Sequence, residues 1–345
     1  MDQPLIFQEN VALAELTTMK LGSSRARYFY ELTDATDLPK IHLFAVEQQL
    51  PIRILGGGSN SLATDNDFPG IVIKNCLTGI KKKTLNGDNL YNVASGEVWD
   101  DFVAQTVQDG MSGLEALSGI PGTVGATPVQ NVGAYGQEIA DVMSEFEAYD
   151  FIDNHFVTVK TNELDFAYRT SALKTHNVNR YFITSVTFKL RTGEIKRPLY
   201  WSLEKYLETH DLSDVSPAKI RAYVLAIRAE RIPNHYEHPS AGSFFENAEI
   251  TPAKFTEIKQ NYPDIPYGTE QKNGLIKIPT AWLMEKAGLV GQTIHGIEIG
   301  TASPMILVNR SATSFSDLMN AKRAIVKAIA QKFDIAIEQE PIVIR

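Results

Sequence analysis

Apolar positions along this chain recur with two periods. Ile52 to Leu55 and Ile71 to Ile73 are short apolar runs on either side of a glycine-rich turn in "PIRILGGGSNSLATDNDFPGIVIKN" (residues 51–75), which predicts strand, loop, strand. Another strand is predicted to end at Gly96. Trp99, Phe102, Val103 and Val107 then follow at helical spacing, with Gly110 as a stop. Alternation in "HFVTVK" and "RYFITSVTFKL" makes residues 145–190 β-rich, and residues 191–235 hold "YWSLEKYL" and the helical stretch "SPAKIRAYVLAIRAERIP". "PTAWLMEKAGLVG" predicts a short amphipathic helix closed by glycine, and "TASPMILVNR" a strand. Over 314–333, Leu318, Ala321, Ile325 and Ala328 form one apolar stripe of a long helix. The chain closes on a strand, "IAIEQEPIVIR". Strands grouped early and mixed with helices predict α+β domains.

Composition narrows the function classes. A chain of 345 residues exceeds one ordinary core, so two or three domains are expected. Hydrophobic residues make up 43% and charged residues 21%, as in globular proteins. A formal net charge of −8 argues against nucleic-acid and anionic-membrane partners, and leaves room for a small anion held by local arginines. The single cysteine, Cys76, allows no disulfide within the chain and fits a reducing compartment. The first residues lack a basic region followed by an apolar run, and no segment approaches the ~20 apolar residues of a membrane helix. A cytoplasmic protein is expected.

Two glycine-rich stretches carry the chemistry. Gly56, Gly57, Gly58, Ser59 and Asn60 follow a strand and form either a plain tight turn or an anion-binding nest. Their spacing is neither that of a Rossmann fingerprint nor that of a P-loop. Residues 119–136 hold Gly119, Gly122, Gly125, Gly133 and Gly136, with Pro121 and Pro128. So little side-chain bulk is poor core material, but it suits a backbone that passes close to something large and flat. The two stretches together predict one extended ligand held at both ends.

Four segments in this order, "ILGGGSN", "GLEALSGIPGTVGATPVQNVGAYGQEI", "YRTSALK" and "AGSFFENA", resemble the motifs of the UDP-N-acetylenolpyruvoylglucosamine reductase family, flavoenzymes of peptidoglycan synthesis. The resemblance runs from about Leu21 to Glu340. It implies an α+β fold: an FAD-binding domain of the vanillyl-alcohol-oxidase type, with one subdomain in residues 1–75 completed by 334–345 and a second in 76–230. A smaller α+β substrate-binding domain follows in 231–333. It also implies NADPH and UDP-N-acetylglucosamine enolpyruvate as reactants using one site in turn, and a monomer. FAD would be contacted by residues 56–60, by Gly119, Ile120, Pro121, Gly122, Gly125, Ala126, Val129, Gly133 and Ala134, and by Arg228 at its phosphate. Attachment would be non-covalent, since no histidine lies between 43 and 154.

The implied reaction adds hydrogen across an enol-ether double bond that carries a carboxylate. It needs a proton for the α-carbon and donors for the charge that builds there. Ser243 matches the family's proton donor, and Arg169 an arginine near the substrate carboxylate. Glu340 matches a C-terminal glutamate, with Glu338 as the alternative, because the family's Glu-Pro-Glu-Val-Arg is here Glu338-Gln339-Glu340-Pro341-Ile342. Arg231 stands where many members have a phosphate-gripping lysine, Asn247 where an amide binds the nucleotide sugar, and Tyr200 where the first of two subtypes carries a tyrosine over the substrate. Tyr135 either stacks near the flavin edge or belongs to the core. Without the resemblance, Ser243 reads as a loop serine and Arg169 as a surface ion-pair residue. Strand alternation would send Phe244 and Phe245 to opposite sides, with Gly242 keeping side-chain bulk away. His235, Glu237 and His238 share one short loop and cannot complete a tetrahedral metal set. Two other readings are a flavin oxidase acting on an alcohol or hydroxy acid, which has no need of "AGSFF", and a binding module without catalysis, which would lack Ser243, Arg169 or the C-terminal carboxylate.

Overall fold

The computed structural model describes residues 5–345 except Asn86, Glu194, residues 196–198, Tyr200, Asp211, Tyr267, Lys272 and the side chain of Trp201. The described chain forms two compact units. One holds the residues up to Val11, Ala26–Gly57 and Phe68–Ala229; the other holds Ala12–Arg25, Gly58–Asp67 and Glu230–Arg345.

The first unit contains two sheets. In one, the strands Arg25–Leu32, Phe68–Asn75 and Ile52–Leu55 run parallel, with Gln8–Ala12 beside Arg25–Leu32. Ile71, Val72 and Ile73 are all fully buried, as expected of a continuous apolar run covered on both faces. Helix Leu38–Glu47, with proline in its first turn, buries Leu38, Ile41 and Ala45 against Leu32, Ile71 and Ile73. The second sheet is antiparallel, in the order His155–Lys160, Met143–Asp150, Tyr181–Thr192, Asp88–Ala94, Ile80–Leu85. Helix Trp99–Gln108 covers it with Trp99, Phe102 and Val103, packed in one core with Phe146, Val186 and Phe188. Strand Ile80–Leu85 is exposed at every position, and its lysines, Lys81 to Lys83, guard the edge of the sheet against further pairing.

Asp150 locks one corner of this sheet. Its carboxylate is 1% exposed and is gripped by Arg180 through Nε (2.9 Å) and Nη2 (2.7 Å) and by the Ile152 amide (2.8 Å). Burial pushes the carboxyl up, but Arg180 and the backbone amides outweigh it and hold the carboxyl below the usual range. A depressed folded-state value gives stability that is complete above the unfolded-chain value of about 4 and is lost as pH falls through the folded value. Asp150→Asn is expected to cost about 2 kcal/mol in urea unfolding at pH 7, and the gap to the parent protein should narrow below about pH 4. A gap that stays constant down to pH 3 would contradict this.

The second unit has an antiparallel sheet in the order Ser240–Ser243, Ile306–Asn309, Ile297–Ile299, Thr293–Ile294, and a three-stranded one of Ala248–Ile250, Ile276–Ile278 and Thr269–Glu270. Helix Phe315–Phe333 opens on a capping box, in which Ser314 Oγ accepts from the Asp317 amide (3.0 Å) and the Asp317 carboxylate accepts from the Ser314 amide (3.1 Å). Its buried stripe is Leu318, Ala321, Ile325, Ile329 and Phe333; the predicted Ala328 is partly buried beside it. The final strand, Ile342–Val343, pairs in parallel with Ser61–Leu62, and the Ile342 amide donates to Asn60 O (2.9 Å). The chain end is therefore fastened just beyond the first glycine stretch.

Candidate active site

In the first unit the two glycine stretches meet. A Cβ on Gly57 would lie 3.0 Å from Gly122 Cα, and one on Gly56 2.5 Å from Thr123 Oγ1. The Gly122 carbonyl accepts from the Trp99 amide (3.0 Å), which anchors the crossing at the start of a helix. Gly125 is buried, and a Cβ there would lie 2.5 Å from Ser95 Cβ, so its smallness serves chain packing. Pro121 and Ala126 are exposed; Ile120, Val129, Gly133 and Ala134 are half-buried.

Gly119 has φ +71, and both its polar backbone atoms are held by side chains. Its amide donates to Asp100 Oδ1 (2.6 Å), and its carbonyl accepts from Arg228 Nε (3.2 Å). Burial pushes the Asp100 carboxyl up, but the two-pronged Arg221 contact (2.5 and 2.9 Å) and the Gly119 amide hold it below the usual range. Arg221 thereby takes up the carboxylate. Arg228, two turns along the same helix, is half-buried; desolvation pulls its pKa down, and its Nη groups make no hydrogen bond among the described residues. A guanidinium in that state is built for an anion such as a cofactor phosphate. The residues present thus fit FAD: two crossing glycine backbones and a waiting cation. Gly119→Ala should weaken FAD binding about tenfold, because a Cβ at φ +71 is strained and would lie 2.9 Å from Leu225 Cδ2. Flavin fluorescence titration of the apoprotein reads this, and unchanged affinity would contradict it.

Strands Gly133–Ala134 and Gln137–Glu138 form a hairpin whose two turn residues, Tyr135 (φ 48) and Gly136 (φ 84), are both left-handed. Tyr135 is half-buried and packs partly against the cluster of Leu203, Ile220, Val224 and Ile227. Arg169 is also left-handed (φ 51), unusual for a residue with a long side chain. Its Nη2 donates to Gly133 O (2.9 Å), and its guanidinium carbon lies 5.2 Å from the centre of the Tyr168 ring. Non-glycine backbone in this region is a recurrent mark of functional loops.

The second unit holds Ser243 and Glu340. Ser243 ends strand Ser240–Ser243, which pairs with Ile306–Asn309 through a register shift between Ser240 and Ser243. This is a β-bulge, and Gly242 supplies its left-handed residue at φ +68. No atom lies within 4 Å of a Cβ placed there, so glycine is required by conformation and not by space. Ser243 is exposed, while Phe244 and Phe245 are 1% and 0% exposed. Their rings meet edge to face at 5.1 Å inside one core. The expected placement on opposite sides is therefore corrected: the bulge breaks the alternation that the expectation assumed. The C-terminal segment runs alongside. The Glu340 amide donates to Phe244 O and the Glu246 amide to Glu338 O, both at 2.9 Å. Glu340 is half-buried and Glu338 exposed.

The remaining candidates are more scattered. Asn247 Oδ1 accepts from the Thr280 amide (3.1 Å) at the start of helix Thr280–Lys286. Gly58 is left-handed (φ +68), and a Cβ there would collide with the Leu16 carbonyl; Ser59 and Asn60 are half-buried. Arg231 is exposed at the end of helix Pro217–Arg231. Tyr200 lies outside the described residues. Among the described residues no cluster of three or more His, Cys, Asp or Glu side chains could hold a metal, and no helix is long and apolar enough to cross a membrane. The sequence does not single out Asp100, Arg221, Asn131 and Ser171; Asp100, Asn131 and Ser171 bind backbone of a glycine-rich or Arg169-bearing loop, and Arg221 holds the Asp100 carboxylate.

Crossed glycine backbones beside a half-buried arginine suit a flavin dinucleotide, and residues 26–157 match the FAD binding domain family. Residues 234–344 match the family described as UDP-N-acetylenolpyruvoylglucosamine reductase, C-terminal domain. The UDP-N-acetylenolpyruvoylglucosamine reductase of Chromobacterium violaceum is 32% identical over 99% of both chains. That of Ralstonia nicotianae is 35% identical over 92% of this chain and 94% of its own. The crystal structure of the reductase from Thermus caldophilus superposes with a TM-score of 0.66 at 23% identity, covering 99% of this chain and 100% of the other, which establishes the shared fold. The chain belongs to the UDP-N-acetylenolpyruvoylglucosamine reductase family and is an FAD-dependent oxidoreductase with the expected α+β architecture.

Proposed function

We propose that this protein is a cytoplasmic, monomeric enzyme that reduces the enolpyruvyl group of UDP-N-acetylglucosamine enolpyruvate to UDP-N-acetylmuramate for peptidoglycan synthesis, with NADPH as electron donor. The observation that carries this reading is Ser243, an exposed hydroxyl set by a bulge beside two fully buried rings, with the Glu340 backbone fastened to the next residue. FAD, when bound, supplies a hydride to the β-carbon of the enolpyruvyl group. The Ser243 hydroxyl gives its proton to the α-carbon and regains one from solvent. Arg169 stabilises the negative charge that grows on the α-carbon and its carboxylate. Glu340 orients the carboxylate end of the substrate, with Glu338 the alternative.

Gly56, Gly57, Gly58, Ser59, Asn60, Arg228 and the 119–134 stretch hold FAD; Tyr135, Tyr200, Arg231 and Asn247 hold the substrate. In this reading residues 1–75 and 76–230 form the flavin-binding part, 334–345 complete it, and 231–333 serve the substrate. Incubation with NADPH and the enolpyruvyl substrate in heavy water should give a product with deuterium at its α-carbon and consume one NADPH per product. Oxygen consumption driven by an alcohol or hydroxy acid, with no such product, would overturn the reading in favour of a flavin oxidase.

A further inference from the structure

Arg169 sits in a left-handed turn held by side chains of a neighbouring loop. Asn131 is 1% exposed, left-handed (φ 46), and its amide is fully engaged. Oδ1 accepts from the Ala140 amide (3.0 Å), while Nδ2 donates to Glu138 Oε2 (2.8 Å) and to Ala167 O (3.2 Å). Ser171, also 1% exposed, donates from Oγ to Val129 O (2.7 Å) and accepts from the Leu173 amide (3.1 Å). Arg169 itself donates to Gly133 O (2.9 Å). Three side-chain hydrogen bonds therefore cross between residues 129–133 and 167–171, one on each side of Arg169 and one from it. Ala167 and Thr170 exchange both backbone hydrogen bonds (3.2 Å each), which closes the turn that presents Arg169. The backbone is left-handed at Asn131, Tyr135 and Arg169, a costly conformation that persists only where surroundings over-determine it.

We propose that Asn131 and Ser171 are positioning residues for Arg169: they hold its loop in the left-handed conformation that aims the guanidinium. This rests on the role assigned to Arg169 above. Neither residue carries charge to the substrate; each acts by denying the loop its relaxed shape. A displacement near 1 Å at a group that must meet developing charge costs about 10²-fold. Ser171→Ala removes the donor to Val129 O and the acceptor of the Leu173 amide while keeping the shape, and Asn131→Asp keeps the shape but loses the donor to Ala167 O and Glu138.

Three readouts test this on the FAD-loaded protein. Single-turnover reoxidation of the reduced enzyme by the enolpyruvyl substrate should slow about 10–100-fold in Ser171→Ala, with reduction by NADPH and the melting temperature nearly unchanged. Binding of UDP-N-acetylmuramate to the oxidised enzyme, read by calorimetry, should weaken in parallel. Added to Arg169→Ala, Ser171→Ala should cost nothing further, because the group it positions is gone. The same slowing in both backgrounds would overturn the proposal, as would equal slowing of both half-reactions with a lowered melting temperature. If Asn131→Asp lowers stability, Ser171→Ala still decides. Arg169→Ala without effect on reoxidation or product binding would instead sink the role of Arg169, and the two failures are told apart by the single variants.

Discussion

Ser243→Ala is expected to slow reoxidation of the reduced enzyme by its enolpyruvyl substrate by about 10²–10⁴-fold, the usual worth of a general acid. Reduction by NADPH should stay within a few-fold of the parent rate, because that half-reaction needs no proton from this hydroxyl. A hydroxyl is a weak acid, and it succeeds only against a strongly basic enolate and only in fixed geometry. The geometry is visible: a bulge at Gly242 turns the strand, Ser243 is exposed, and the residues on its far side are anchored. Rapid-mixing absorbance at the flavin band separates the two half-reactions. Equal slowing of both would assign Ser243 to ligand positioning.

Phe245→Ala should destabilise the protein by about 3–5 kcal/mol in denaturant unfolding, the usual cost of deleting a fully buried ring. Phe245 is 0% exposed, meets Phe244 edge to face at 5.1 Å, and its backbone bridges to Gln339. One residue thus couples the core, the Ser243 loop and the C-terminal segment that carries Glu340. The variant should also lose rate in the substrate half-reaction at temperatures where it is still folded, since Ser243 loses its anchor. A variant of unchanged stability would mean that the ring is not the anchor.

The sequence made much of this legible, and the exceptions have identifiable causes. The 119–136 stretch announced itself because five glycines cannot build a core, and Gly57 against Gly122 shows why the bulk had to be absent. Gly125 shows the limit of that argument, since its smallness serves Ser95. Phe244 and Phe245 were misplaced because alternation holds only within a regular strand, and a single left-handed glycine interrupts it. Strand Ile80–Leu85 was hidden by its lysines, which protect an edge and erase the apolar pattern. Helix Leu38–Glu47 is hard to read from the sequence because Leu43 and Val46 are exposed and interrupt its polar face. Asn131 escaped because asparagine among glycines reads as a turn residue; only the folded chain shows its amide bonded at both ends.

The most direct test is an anaerobic two-step titration of the purified flavoprotein. NADPH should bleach the flavin band, and UDP-N-acetylglucosamine enolpyruvate, added next without oxygen, should restore it with release of UDP-N-acetylmuramate. A flavin that stays bleached until oxygen enters, whatever enolpyruvyl substrate is present, would contradict the assignment.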